Sequence, residues 1–146
     1  MTFWRLIATF FYVGKLPYAP GTWGSLAALL FWLLLPSSPI VQLFILIIFF
    51  WMGVYSSDKL SKDIQAHDPP EIVIDEVVGM GIALFMLPHN FILYLIAFIL
   101  FRIFDILKPS FIYHLQDLPG GFGIMVDDII AGIFTLVIIT GFANIL

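Results

Sequence analysis

Residues 91–108 read FILYLIAFILFRIFDILK, an apolar run whose charges arrive only near its C-terminal end. A run of this length and purity, over 91–107, predicts a membrane helix rather than the amphipathic helix of a water-soluble domain. Arg102, Asp105 and Lys108 are spaced i, i+3 and i+6, so they share roughly one face of that helix end. Four more apolar segments surround it, at 22–35, 40–55, 72–87 and 124–145. Two connections are tight and carry helix breakers, Pro36-Ser37-Ser38-Pro39 and Pro88-His89-Asn90. The other two, 56–71 and 108–123, are long and polar and are expected to be loops.

Composition agrees with that reading. The 146 residues are 62% hydrophobic and 11% charged, and the mean hydropathy is +1.08. A soluble domain carries about a quarter charged residues, so there is too little polar surface here to coat one. With no Cys there is no disulfide, no thiolate zinc site and no cysteine nucleophile. A net charge of -4 provides no basic footprint for nucleic acid. The expectation is a single domain over 1–146: an all-α, polytopic membrane helical bundle of about five segments. Arg5 followed by the apolar stretch 6–13 has no small-residue cleavage site after it, and the stretch is too short to span. It reads as an N-terminal interfacial helix, with Trp4 and Tyr12 suited to the headgroup zone.

With five crossings, all 6 basic and all 10 acidic residues fall on or beside one face of the membrane. Short loops rich in Lys and Arg stay in the cytoplasm, so that face is expected to be cytoplasmic. Ionisable groups within membrane segments are costly and point to function. They sit at three helix ends: Asp75-Glu76 at the start of the third segment, Arg102 and Asp105 at the end of the fourth, Asp127-Asp128 near the start of the fifth. The two acid pairs lie in the same short pattern, Ile-Asp-Glu-Val-Val-Gly at 74–79 and Val-Asp-Asp-Ile-Ile-Ala at 126–131. Four carboxylates in a low-dielectric setting require a compensating cation. Oxygen ligands suit Mg²⁺ or Mn²⁺ better than zinc, so Asp75, Glu76, Asp127 and Asp128 are the candidate metal ligands. Acids at helix N-termini also serve as caps; two adjacent pairs together with Asp105 favour the metal.

The stretch Pro17-Tyr18-Ala19-Pro20-Gly21-Thr22-Trp23-Gly24-Ser25 holds a non-helical backbone that opens into a helix capped by Thr22 or Ser25. Helix-start N–H groups there, with Lys15, Arg102 and Lys108, form half of a phosphate pocket. Gly79, Gly81 and Gly132 permit close helix contact within the monomer.

Four blocks of the sequence carry a resemblance: GKLPYAPGTWGSLAA (14–28), IVIDEVVGM (72–80), FRIFDILKP (101–109) and GGFGIMVDDIIAG (120–132). In this order they resemble the signature blocks of the phosphatidylglycerophosphatase A family, and His67-Asp68 also matches. One departure is Phe111, where the family often has a second proline. The resemblance implies a phosphatase of the bacterial inner (cytoplasmic) membrane, multi-pass, with its site facing the cytoplasm. It implies Mg²⁺-dependent hydrolysis of the terminal phosphate monoester of phosphatidylglycerophosphate to phosphatidylglycerol and phosphate, in phospholipid biosynthesis. The mechanism expected is metal-assisted attack of water, with Arg102, Lys108 and the Thr22 loop neutralising phosphate charge. Asp105 orients Arg102 or Lys108, or serves as acid or base. The competing reading is a small ion-coupled membrane transporter that uses the same acids. Against it, nothing polar continues across the apolar halves of the segments.

Overall fold

Both tight turns contain the start of the helix that follows them. Ser38 accepts a hydrogen bond from the Val41 N–H at 3.5 Å, and Pro39 occupies the first helical position. Asn90 accepts from the Ile92 and Leu93 N–H groups at 2.9 and 3.3 Å. In the computed structural model, which describes residues 3–66, 69–107 and 120–145, each of the five apolar segments is a helix. Among the described residues there are six α-helices, one 3₁₀ turn at Val13–Lys15 and no strand. The helices are α1 (Phe3–Ala8), α2 (Pro20–Leu34), α3 (Pro39–Ile64), α4 (Ile74–Ala83), α5 (Phe91–Ile106) and α6 (Gly120–Ile145).

From α2 onward the chain runs up and down. The starts of α2, α4 and α6 lie at the end of the bundle where α3 and α5 finish. Short α4 is the centre and packs against α2, α3, α5 and, most extensively, α6. Its sequence IDEVVGMGIA is apolar nearly all round, the mark of an enclosed helix. Of its ten residues all but Glu76 and Ile82 are buried. At the α4–α6 crossing no side chain fits: a Cβ on Gly132 would stand 2.3 Å from the Gly79 carbonyl oxygen. One on Gly79 would stand 2.6 Å from the Asp128 carbonyl oxygen. The two glycines let the backbones meet, as small residues do in membrane bundles.

Several boundaries differ from expectation, among them the start of α6, at Gly120 and not at 124. The polar stretch from Ser56 is no loop, because α3 continues to Ile64. Its buried residues Gly53, Ser56, Ser57 and Leu60 keep the spacing i, i+3, i+4, i+7, so the buried face persists after the apolar composition ends. Asp58 and Lys62 pair at 3.1 Å across one turn, and Gln65 closes the helix in the left-handed region at φ 62°. The third segment, by contrast, is shorter than 72–87. It turns after Ala83, with Met86 at φ 63°.

Among the described residues two helices are long and apolar enough to cross a membrane: α3, and α6 over 121–142. On α3 the exposed large residues Ile40, Leu43, Phe44, Ile47, Ile48 and Trp51 fall on one face. An unpartnered apolar face of that length suits lipid and not water. The N-terminal stretch folds as α1, followed by left-handed Phe10, Phe11 and Tyr12 and the 3₁₀ turn. It is fastened to the strap before α4: Arg5 pairs with Glu71 at 2.9 Å, and the Val73 N–H donates to the Ala8 carbonyl at 2.9 Å.

Candidate active site

Four helix ends build the site. The α4–α6 crossing places the first turn of α4 beside the third turn of α6, so the two acid pairs meet. Carboxylate oxygens of Asp75, Asp127 and Asp128 all lie within 4.8 Å of one another, and all three residues are buried. A second set, Glu76, Asp105 and Asp128, meets the same limit, so Asp128 joins α4, α5 and α6. The local geometry of the pairs repeats. Asp75 Oδ1 accepts the Glu76 N–H at 2.9 Å, and Asp127 Oδ1 accepts the Asp128 N–H at 3.0 Å. In each pair the first acid turns back on the backbone and the second projects onward.

Among the described residues Arg102 brings a cation to the site. Its Nη1 pairs with Asp105 Oδ2 one turn along α5, and both side chains are largely buried. Gly21, in the first turn of α2, completes the wall. A Cβ there would stand 3.0 Å from Glu76 Oε1 and 3.1 Å from Arg102 Nη1. The glycine thus admits both charged groups to the start of α2, where the Gly21 and Thr22 N–H groups have no carbonyl one turn earlier in the helix. Glu76 Oε2, Asp128 Oδ1 and Arg102 Nε are buried and make no hydrogen bond. Buried polar atoms of ionisable groups left without a hydrogen bond are unfavourable unless something is bound. Five carboxylates crowded in this way repel one another strongly at low dielectric. An all-oxygen donor set with open lone pairs fits a hard divalent cation.

The sequence-predicted residues divide accordingly. Asp75, Glu76, Arg102, Asp105, Asp127 and Asp128 converge. Thr22 is near them, lining with Arg102 a groove of about 450 Å³ between α2 and α5. Neither Thr22 nor Ser25 caps α2: Ala19 is the cap position and Pro20 the first helical residue. Ser25 is buried, and its hydroxyl donates back to the Gly21 carbonyl at 2.8 Å. The helix starts earlier than expected because Pro20 is preset for its first turn. Lys15 is exposed, with its ammonium 5.9 Å from the Tyr12 ring centre, and the structure does not place it among the carboxylates. Lys108 lies outside the described residues, as do His67 and Asp68. Sequence reading missed Gly21; its only signal was its place in Pro-Gly-Thr, which reads as a loop.

Fold and site together define an α-helical protein with lipid-suited outer faces and a carboxylate centre, able to hold a metal ion, at one end. The family model of phosphatidylglycerophosphatase A matches residues 6–143. The chain belongs to that family. It is 43% identical to phosphatidylglycerophosphatase A of Escherichia coli over 90% of this chain and 78% of the relative. To the Haemophilus influenzae protein of the same name it is 41% identical, over 92% and 85%. A Bacteroides thetaiotaomicron relative, provisionally named as a phosphatidylinositol-3-phosphatase, is 37% identical over 92% and 89%. No solved structure matches the chain.

Proposed function

We propose that this chain is a phosphatidylglycerophosphatase, hydrolysing the terminal phosphate monoester of phosphatidylglycerophosphate to phosphatidylglycerol and inorganic phosphate. The observation that carries the reading is the meeting of Glu76, Asp105 and Asp128 beside Arg102 in a member of this family. A transporter reading has no comparable support.

Asp75, Glu76, Asp127 and Asp128 would hold the metal, in our reading Mg²⁺ or Mn²⁺, which when bound supplies charge neutralisation and a more acidic water. The remaining work falls to the chain. Arg102, held by Asp105, presents guanidinium N–H groups to the phosphate oxygens, a charge-assisted contact that favours the dianionic monoester over the inner diester. Asp105 thereby acts as a positioning residue. The α2 start offers the Thr22 hydroxyl and free backbone N–H groups to the same phosphate. Lys108, two residues beyond the end of α5, adds a second positive charge in this scheme. In the step itself the water oxygen bonds phosphorus and the bond from phosphorus to the glycerol oxygen breaks. A carboxylate of the cluster takes the water proton, and the departing glycerol oxygen gains one.

The bundle is multi-pass in this reading, with α2, α3, α5 and α6 in the bilayer around enclosed α4 and α1 at the interface. Its carboxylate end faces the cytoplasm across the bacterial inner membrane. Cysteine introduced at Asp63 would then be labelled from the cytoplasm and at Ser37 from outside; both on one side would refute the topology. The decisive test of activity is the purified chain in detergent with phosphatidylglycerophosphate, with and without EDTA, and mass spectrometry of the lipid product. Phosphatidylglycerol, lost with EDTA, is the expected result. Phosphatidic acid or diacylglycerol would mean attack at the inner phosphate and would refute it. Phosphatidylinositol 3-phosphate hydrolysed faster would transfer the substrate to the other relative's.

A further inference from the structure

The outer face of α5 carries Ile92, Ile96, Ile99, Ile103 and Ile106, at steps of four, three, four and three residues, and every one is exposed. Such spacing makes a continuous stripe along one side of a helix. The stripe does not end in solvent. At the level of Ile99, Ile103 and Ile106 it lines the 450 Å³ groove against α2, which Phe98 also lines and whose polar groups are Thr22 and Arg102. The same Arg102 pairs with Asp105, one of the clustered carboxylates. A single groove therefore joins an apolar track to the cation beside the reacting centre.

We propose that this groove and the isoleucine stripe seat an acyl chain of the glycerophospholipid substrate, making Ile99 and Ile103 residues that set its chain requirement. The inference rests on the phosphatase reading. It follows from the polarity of the groove: a glycerophospholipid is apolar at one end and anionic at the other, and the groove sets exposed isoleucines directly beside Arg102 and Thr22. A second cavity of about 770 Å³, between α3 and α6, is lined by Trp51, Val54 and Phe122 with the Asp58–Lys62 pair at its rim. That cavity has no cluster residue in its lining, so it lacks the continuity with the reacting centre.

The test uses two substrates, dioleoyl and water-soluble dihexanoyl phosphatidylglycerophosphate, and three single variants. Ile99→Trp and Ile103→Trp, at 55% and 45% exposed positions, fill the groove, while Ile47→Trp puts the same bulk on the exposed face of α3. For the two groove variants KM for the dioleoyl lipid should rise about tenfold, the order expected when burial of one or two methylenes is lost. KM for the dihexanoyl lipid and kcat should change less than about twofold, and Ile47→Trp should leave both substrates unchanged. Equal loss on both substrates, or no more loss than Ile47→Trp causes, would overturn the proposal. So would a dimer-to-monomer shift in native mass that accounts for the lost activity, since the stripe would then be a seam between copies. If the unaltered protein hydrolyses neither lipid, it is the phosphatase reading that fails.

Discussion

The two ends of the bundle handle buried polarity in opposite ways. At the end holding the two tight turns, Gln42 is fully buried, and both ends of its amide are used: Oε1 accepts the Met86 N–H at 2.9 Å, and Nε2 donates to the Pro36 carbonyl at 3.5 Å. One side chain thereby ties the 84–90 turn to the 35–38 turn. What is left unpaired near there, Trp32 Nε1 and the Tyr94 hydroxyl, is neutral. At the other end, beside the neutral Ser57 hydroxyl, the unpaired buried atoms include Glu76 Oε2, Asp128 Oδ1 and Arg102 Nε, which belong to groups charged in their usual states. A neutral amide with matched partners is a fastening. Charged groups with lone pairs and donors left over are an arrangement that awaits a ligand.

Substitutions at each end should therefore separate activity from stability. Asp127→Asn and Glu76→Gln should lower turnover by about a hundredfold or more while the protein inserts and keeps its helical content by circular dichroism. Full turnover in both would dissolve the distinction between the ends. Gly132→Ala drives a methyl group into the Gly79 carbonyl, and overpacking of that kind costs about 1–3 kcal/mol. Because the crossing also sets the carboxylates, the thermal midpoint and kcat should fall together. A variant stable yet inactive, or active yet unstable, would show that the crossing serves only one of them. Gln42→Leu strands the Met86 N–H, at about 1–3 kcal/mol. Here the midpoint in detergent should drop while turnover per folded molecule stays constant. The smallest effect is expected for Arg5→Gln, which breaks a half-exposed ion pair worth about 0–1 kcal/mol. A larger loss would mean that the N-terminal fastening governs the whole bundle.

How much of this was legible in the sequence follows from the range of each interaction. Periodicity and composition are local, so the apolar segments and the two breaker-bearing turns were readable, though not the caps that Ser38 and Asn90 supply there. The acid pairs and the Arg102–Asp105 spacing are local as well, and their convergence followed from alternating helices. The continuation of α3 past Tyr55 was hidden because composition changes there while the buried spacing does not. A lone Gln42 in an apolar run has no pattern to mark it; its partners lie across the fold. Lys15 stands close in sequence to the Pro-Gly-Thr stretch, which suggested its role; the contact seen for its ammonium is with the Tyr12 ring.

The Arg5–Glu71 fastening spans 66 residues of chain, and that separation fixes an order of events during synthesis. The first helix leaves the ribosome long before Glu71 and Val73 exist, and α2 and α3 are made in between. Phe3–Ala8 therefore remains undocked from residues 71–73 until these have been made. The ion pair and the Ala8–Val73 hydrogen bond thus make a short helix depend, for its place in the finished molecule, on a strap that follows it only after α2 and α3.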